Sequence, residues 1–588
     1  MIEVIEENWL GRITKYDAND LKLHTPEVFY ISTRSIRAPS YARATIVDSD
    51  NGSVPENSLK MLRSGFFSEE DASNGATIDP LFRGGGELFE SGTMPVSTCY
   101  SSGDFSKCSG DIVVVGDAAQ LLRRPREFAK TFSGLRRAVS PKRLIYAPGI
   151  ADPFNLSLLC YFGIDLFDSL GTIARSSLGQ VIVHGRAIPS ASEDLGRISG
   201  LGPNPSFEDI LQHNYRQLES ELVVVREAIR AGTLRQLVES RVRHAPWMIE
   251  ALRFADLEEF RNFEEWTPVC GNEFVASAKE SLWRPDIRRY RERLLERYEI
   301  PSSPGILVLL PCSARKPYST SRSHRAFRGA IRESGIASAV HEVIVTSPLG
   351  IVPRELETVY PAQQYDIPVT GHWDEDEKKI ARGLLSDFLS RKRYDIIVAH
   401  LDTEFEFVSD VLQEYELRHT GGENVNSRES LSNLRDCLSG LKDSVEKPSW
   451  AKRTHEDIKA LCSYQFGDAW PHLMEDTVIK GAYPNVRVMR GDVQLYSCVP
   501  SKGGLSLTID GGKALARSGK YGVEIEDFIP KTNVFAVGVK GCSPEIRIGD
   551  EVYVHHAGEV RAVGTARMNS IEMTSLARGE AVHIRHHI

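Results

Sequence analysis

The run Gly305-Ile-Leu-Val-Leu-Leu310 is apolar at every position after its glycine. A strand with one wet face would alternate, so this run reads as a strand buried on both faces, as in the middle of an α/β sheet. Behind it, Ala326, Phe327, Ile331 and Ile336 can line one face of a helix that begins after Ser321. The connection, Pro311-Cys-Ser-Ala-Arg-Lys-Pro-Tyr-Ser-Thr-Ser-Arg-Ser-His324, gathers a thiol, an ammonium, a phenol, hydroxyls and an imidazole. Cys312 is thereby placed at a strand-to-helix crossover, where ligands collect in α/β sheets.

The 588 residues allow about three to five domains, and a 41% hydrophobic, 26% charged composition is ordinary for globular protein. The formal charge, 71 − 80 = −9, does not advertise a nucleic-acid binder, although arginine clusters stand at 123–126, 136–137, 288–289 and 391–393. Solvated helix faces are the stronger reading of such clusters. The nine cysteines form no Cys-x-x-Cys pair and no secretory h-region opens the chain, so a reduced, cytoplasmic protein without a cysteine-built metal site is expected. No apolar run approaches the roughly 20 residues of a membrane span.

Asp111-Ile-Val-Val-Val, Lys142-Arg-Leu-Ile-Tyr and Gln180-Val-Ile-Val read as strands, while 126–132 and the segment after Tyr215 read as helices, the latter ending at Gly232. An α/β barrel or doubly wound sheet is implied for this half. The stretches near Asn51, Gly75 and Gly84-Gly85-Gly86 read as loops. Ile300-Pro-Ser-Ser-Pro-Gly305 reads as a hinge before a second α/β unit with strands at 305–310, 342–346 and 394–399 and helices near 323–337 and 376–391. Helical segments follow at 428–446 and 453–463, and from Val486 the pattern turns to short alternating strands. His583, His586 and His587 read as a frayed end, with metal binding as the alternative.

Three regions carry resemblances to known families. Asn533-Val-Phe-Ala-Val-Gly-Val-Lys, Ile548-Gly-Asp-Glu-Val-Tyr-Val and Glu559-Val-Arg-Ala-Val-Gly-Thr-Ala resemble a PUA domain, a small β-barrel that grips folded RNA, with Gly538, Gly549 and Gly564 at its tight turns. That resemblance implies Gly538, Lys540, Arg547 and Arg567 as RNA-binding residues; a generic β-barrel is the alternative. Pro148-Gly-Ile, Tyr161-Phe-Gly-Ile-Asp-Leu-Phe-Asp-Ser169 and the helix entry His213-Asn-Tyr-Arg-Gln217 resemble a tRNA-guanine transglycosylase barrel, in which Asp168 matches the nucleophilic aspartate. The family's zinc-holding cysteines and second catalytic aspartate have no counterpart here, which implies an inherited scaffold without base exchange. Asp168 is left either touching a base or ribose, or bonded to backbone amides at a strand end.

Pro311-Cys312, Lys316-Pro317-Tyr318, Ser321 and His324, at these spacings, fit the signature of the archaeosine synthase family. The segment from Thr346-Ser-Pro-Leu-Gly350 through Pro353-Arg-Glu-Leu-Glu357 to Tyr365-Asp-Ile-Pro-Val-Thr-Gly-His-Trp373 resembles the family's second dense block. The resemblance implies a multidomain α/β plus β chain. Its parts would be a degenerate transglycosylase-like (β/α) barrel at 1–299, an α/β three-layer catalytic domain at 305–425 with a helical extension at 426–463, a small α+β domain at 464–510 and a PUA β-barrel at 511–588.

It also implies a transferase acting on tRNA that carries 7-cyano-7-deazaguanine at position 15 of the D-arm, adding an amine to the nitrile. Free lysine, through its side-chain amine, is the preferred donor and glutamine the other. No cofactor and no metal are expected, a radical-SAM partner would cleave the lysine adduct, and a homodimer is left open. A thiolate that adds first splits the step into two through a thioimidate. Cys312 is the candidate nucleophile, with its pKa lowered by the helix N-terminus and Lys316. His324 would move the proton, and Tyr318 or Ser321 would hydrogen-bond the imide nitrogen.

The competing readings of these residues are a packed thiol, a phosphate cradle made by Lys316 with the hydroxyls and the Arg322 guanidinium of 319–323, and a helix-end histidine. In the second block Ser347, Glu355, Glu357, Asp366 and His372, beside Trp373, are candidates for holding the amine donor; helix and turn caps are the alternative. The rival functions are a transglycosylase working through Asp168 and a non-catalytic tRNA-binding subunit. Binding of tRNA by an acidic chain should weaken steeply with salt.

Overall fold

The computed structural model of the chain describes residues 2–18, 21–33, 35–48, 59–63, 96–368, 370–482, 485–499 and 501–588. The loops expected near Asn51, Gly75 and Gly84–Gly86 lie outside the described residues. The chain forms two compact units: one holds Met1–Thr267 with Phe535–Val537 and Ile571–Gly579, the other Pro268–Val534, Gly538–Ser570 and Glu580–Ile588. The first division thus falls after Thr267, ahead of the proline-rich segment expected to be a hinge. That segment is pinned inside the second unit, since Lys392 Nζ donates to the carbonyls of Pro301 and Pro304 at 2.6 Å each, and Glu456 accepts from the Ser303 amide at 3.0 Å.

In the first unit seven parallel strands run in the order Leu59–Arg63, Ala44–Asp48, Glu27–Ser32, Leu166–Asp168, Leu144–Tyr146, Ile112–Val115, Val96–Cys99. Apart from Leu59–Arg63 and Val96–Cys99, strands consecutive in the chain lie side by side, and Leu166–Asp168 lies beside Glu27–Ser32, which is the circular order of a barrel. Among the described residues the one break is between Leu59–Arg63 and Val96–Cys99, the strands that flank 64–95. The barrel is therefore near-closed. Ile112–Val115 is buried at every position, which explains its unbroken apolar sequence.

Three local expectations change. Gln180–Val183 pairs antiparallel with Arg186–Pro189 and stands outside the barrel sheet. The helix Phe207–Arg230 starts two turns before His213-Asn-Tyr-Arg-Gln217, at a capping box of Ser206 and Asp209. Asn214 is consequently a mid-helix side chain, and it receives the Ile182 amide at 2.8 Å. Finally, Cys99 and Cys108 are joined as a disulfide, against the expectation of nine reduced thiols, because strand Val96–Cys99 and the turn Phe105–Lys107 double back on each other.

The second unit is built on a five-stranded sheet, Gly350–Pro353, Val340–Thr346, Ile306–Pro311, Ile396–Ala399, Glu416–His419. All neighbours are parallel except Gly350–Pro353. In chain order this is 3-2-1-4-5, so the order reverses at Ile306–Pro311, whose residues are all buried. The helices Arg322–Glu333 and Glu375–Arg391 connect the strands, and Arg428–Ser439 and Trp450–Phe466 follow.

A four-stranded antiparallel sheet, Val478–Ala482 to Gly504–Leu507, comes next. Strands Glu580–His587, Glu559–Ala566, Glu551–His556, Gly522–Ile525 and Val539–Cys542 then lie side by side in that order. The C-terminal histidines are not frayed: His583, His586 and His587 pair with Thr565, Val563 and Ala562. Among the described residues no helix is long and apolar enough to cross a membrane, and no group of three His, Cys, Asp or Glu is arranged to hold a metal ion.

Candidate active site

Cys312 follows the last residue of the reversal strand, so it sits at the carboxyl end of the sheet at its topological switch point. The chain then passes through a turn at Tyr318–Thr320 and enters the helix Arg322–Glu333. Three hydroxyls brace this loop from beneath. Tyr318 and Tyr365 bond at 2.6 Å, and Thr346 Oγ1 lies 3.1 Å from the first and 2.7 Å from the second. Lys316 lies on top, its Nζ 4.0 Å from the centre of the Tyr365 ring, a cation over an aromatic face.

Burial pushes the Cys312 thiol up to about 11, the Glu404 carboxylate pushes the same way, and the Lys316 ammonium and Thr346 hydroxyl oppose them. This corrects the expected lowering by a helix dipole, because the helix begins only at Arg322, beyond the whole of loop 313–321. Lys316 is itself shifted down by burial, with Cys312, Asp366 and Glu273 holding it back. Glu404 follows strand Ile396–Ala399, the neighbour of the reversal strand. The residue is 7% exposed, its carboxyl is shifted up by burial, and its Oε2 has no hydrogen-bond partner. Lys316 and Glu404 therefore both act on the Cys312 thiol through their charges, from its own loop and from the end of the neighbouring strand.

Ser321 and His324 both help to hold the loop and the start of its helix. Ser321 caps the helix, its Oγ accepting the His324 amide at 3.2 Å. His324 is fully buried between the rings of Tyr318 and Phe327, and its Nδ1 lies 2.8 Å from Arg354 Nη2. Burial and the Arg354 charge hold its pKa well below the ordinary value, and its Nε2 has no hydrogen-bond partner. Tyr318 is likewise fully buried, and its hydroxyl is spent on Thr346 and Tyr365.

Part of the stretch read as a phosphate cradle is bonded within the fold, the Thr320 hydroxyl donating to the Pro317 carbonyl at 2.8 Å. The Ser319 amide is taken by Glu357 at 2.8 Å, and Glu357 in turn accepts from Arg354 at 2.9 Å. Glu357 is thus a buried brace between Arg354 and the signature loop, not a ligand for an amino group. Glu355 belongs to a separate buried network, accepting from the Tyr298 hydroxyl and lying 3.2 Å from His341 Nε2. Its charged form is favoured by His341 and Arg453 against its burial. Ser347 donates to Glu377 at 2.6 Å. His372 is exposed and its amide bonds Thr370, while Trp373 packs on Phe407. Asp366 alone of these acids remains exposed beside Lys316, in the short strand Tyr365–Asp366.

In the first unit Asp168 is fully buried, and it is bonded as the alternative reading expected. Oδ2 accepts from the Tyr146 hydroxyl at 2.7 Å and the Gly149 amide at 2.8 Å, and Oδ1 from the Leu170 amide at 2.9 Å. In the C-terminal barrel a Cβ on Gly538 would lie 3.2 Å from the Phe528 ring, so this glycine serves packing. Lys540 pairs with Glu526 at 3.3 Å, Arg547 bonds the Pro544 carbonyl at 3.0 Å, and Arg567 lies 3.9 Å from Glu580.

The residues that the sequence did not single out are Glu404, Thr346 and Arg354. A search of the loop after each strand that flanks the reversal strand would have reached Glu404 and Thr346.

Residues 287–438, which hold this crevice, match a domain of unknown function, and residues 524–588 match the PUA domain. Archaeosine synthase subunit alpha of Methanosarcina acetivorans is 36% identical over 81% of this chain and 79% of its own length. The chain belongs to the archaeosine synthase family. Archaeosine synthase of Haloferax volcanii is 35% identical over 84% of each chain. A tRNA-guanine(15) transglycosylase of Methanobrevibacter smithii is 25% identical over 74% of this chain and 65% of its own, so the family is related to the transglycosylases.

Proposed function

We propose that this archaeosine synthase adds the side-chain amine of free lysine to the nitrile of 7-cyano-7-deazaguanine in tRNA. The observation that carries the reading is the position of Cys312 at the switch point of the domain with the family signature, where the charges of Lys316 and Glu404 act on its thiol. The Cys312 thiolate attacks the nitrile carbon, the C≡N bond becomes C=N, and Lys316 gives the nitrogen a proton, forming a thioimidate. The amine then attacks that carbon, Glu404 takes a proton from the amine nitrogen, and the thiolate leaves. Nitrile plus amine gives a substituted amidine, with no oxidant and no other leaving group.

Asp366, exposed beside Lys316, is placed to receive the α-amino group of the donor. The PUA domain supplies a grip on folded RNA. A separate enzyme, of radical-SAM type, would cleave the lysine side chain from the adduct. The saturated bonding of Asp168 gives base exchange no support.

The test is to incubate the protein with nitrile-bearing tRNA and either lysine or glutamine and to weigh the released nucleoside. A gain of one lysine supports the reading. An amidine formed from glutamine overturns the donor, and an unchanged mass points to a tRNA-binding subunit.

A further inference from the structure

A cavity of about 580 Å³ lies inside the second unit, within the size range of small-molecule sites. Helix Pro285–Glu296 forms its floor, the turn between strands Val493–Val499 and Gly504–Leu507 one wall, and the end of strand Glu559–Ala566 another. Arg289 and Arg293, four residues apart on one helix face, are 6% and 8% exposed. Lys502 and Arg567 stand at the rim and are exposed.

The acids in the lining are largely neutralised. Asp286 is gripped by Arg284 and Tyr360, and Glu551 by Arg585. Asp550 is left facing Arg293 and Arg289 through charge, and its Oδ2 already accepts the Arg547 amide at 2.8 Å. Among the described residues the Arg293 guanidinium has neither a hydrogen bond nor an ion pair, although the residue is more than nine-tenths buried and lines the cavity. Buried donors are ordinarily paired, and a buried charge even more so.

We propose that this cavity binds a phosphate group, with Arg293 and Arg289 beneath it and Lys502 and Arg567 at its mouth. Guanidinium forks match the oxygens of a phosphate, and the net positive lining favours a multiply charged anion over a single carboxylate. The phosphate belongs either to a free nucleotide or to the end of an RNA strand. The inference does not depend on the amination chemistry, since none of these residues touches the Cys312 crevice.

Cys270 lines the same cavity and is an exposed residue, so it serves as a reporter. The full chain is alkylated with and without 5′-AMP, and in parallel with a short single-stranded RNA bearing or lacking a 5′-phosphate. The labelling of Cys270 and Cys312 is read separately by mass spectrometry. Either phosphate source should slow labelling of Cys270 but not of Cys312, and R293Q should weaken that protection about tenfold or more. Should R293Q fold poorly, the exposed rim variants K502Q and R567Q read the same loss.

Protection by AMP identifies a free nucleotide site, and protection by phosphorylated RNA alone identifies a strand end. Absence of protection by any probe, or protection that all three variants leave intact, overturns the proposal. Adduct formation by lysine is measured apart from this, so either reading can fail without the other.

Discussion

Two carboxyl ends of parallel sheet invite comparison, that of the barrel at Asp168 and that of the second unit at Cys312. Both place a reactive side chain where α/β folds usually do chemistry. At Asp168 the protein uses the oxygens itself, through a phenol and two amides, and the side chain is fully buried. At Cys312 the thiol is half-buried, Glu404 Oε2 lacks a partner, and an ammonium rests on a ring instead of on a carboxylate. A strand end whose polar atoms are all satisfied is a structural joint. One whose atoms are left unsatisfied holds free energy that a substrate can recover.

The largest effect should come from removing the nucleophile. C312S should lower the rate of lysine adduct formation by about 10³-fold or more, because a serine hydroxyl is far harder to ionise than a thiol and is the poorer nucleophile. Turnover by C312S within about tenfold of the parent would show that the sulfur only packs beneath the substrate. E404Q should cost about 10²-fold, the usual scale for a lost general base. Burial raises the Glu404 pKa, so the acid limb of the pH profile should lie above the ordinary carboxylate range, with activity gained as pH rises through it. In E404Q that limb should vanish, and a surviving limb would assign the base elsewhere.

A third prediction concerns the thiol itself. With its pKa pushed up to about 11, Cys312 should alkylate slowly at neutral pH and ever faster as pH rises toward that value. Lys316 stabilises the thiolate, so K316M should slow alkylation at a fixed pH of about 9 by roughly tenfold. Faster labelling in K316M would mean that the ammonium shields the sulfur more than it activates it.

The same contrast explains what was legible in the sequence. Ile306–Leu310 could be read as a buried strand because an unbroken apolar run has few other uses, and the loop behind it was evident from composition. The partner across the crevice was not, since Glu404 is brought to Cys312 only by the strand order 3-2-1-4-5, which a linear pattern does not contain. The acids of the second block erred in the opposite direction. Glu355 and Glu357 are visible as charges, but Arg354, His341 and Tyr298 consume them, and which cation meets which acid is a tertiary fact. The thiol's shift failed for a related reason: a helix follows Cys312 in sequence, yet loop 313–321 separates the two.

The smallest catalytic effect should come from the barrel, and it sharpens the comparison most. D168N keeps the shape of the side chain but turns one acceptor into a donor facing the Tyr146 hydroxyl or a backbone amide. That leaves at least one buried group unpaired, which should cost about 1–3 kcal/mol in denaturant unfolding, while adduct formation stays within about threefold. Thermal unfolding and turnover measured on one preparation separate the two consequences. If D168N is as stable as the parent but loses activity, then the barrel's strand end is a working site despite its satisfied hydrogen bonds, and the distinction between spent and unspent polar groups fails for this chain. If stability falls and turnover persists, Asp168 matches the transglycosylase nucleophile in position only, its charge having become part of the fold.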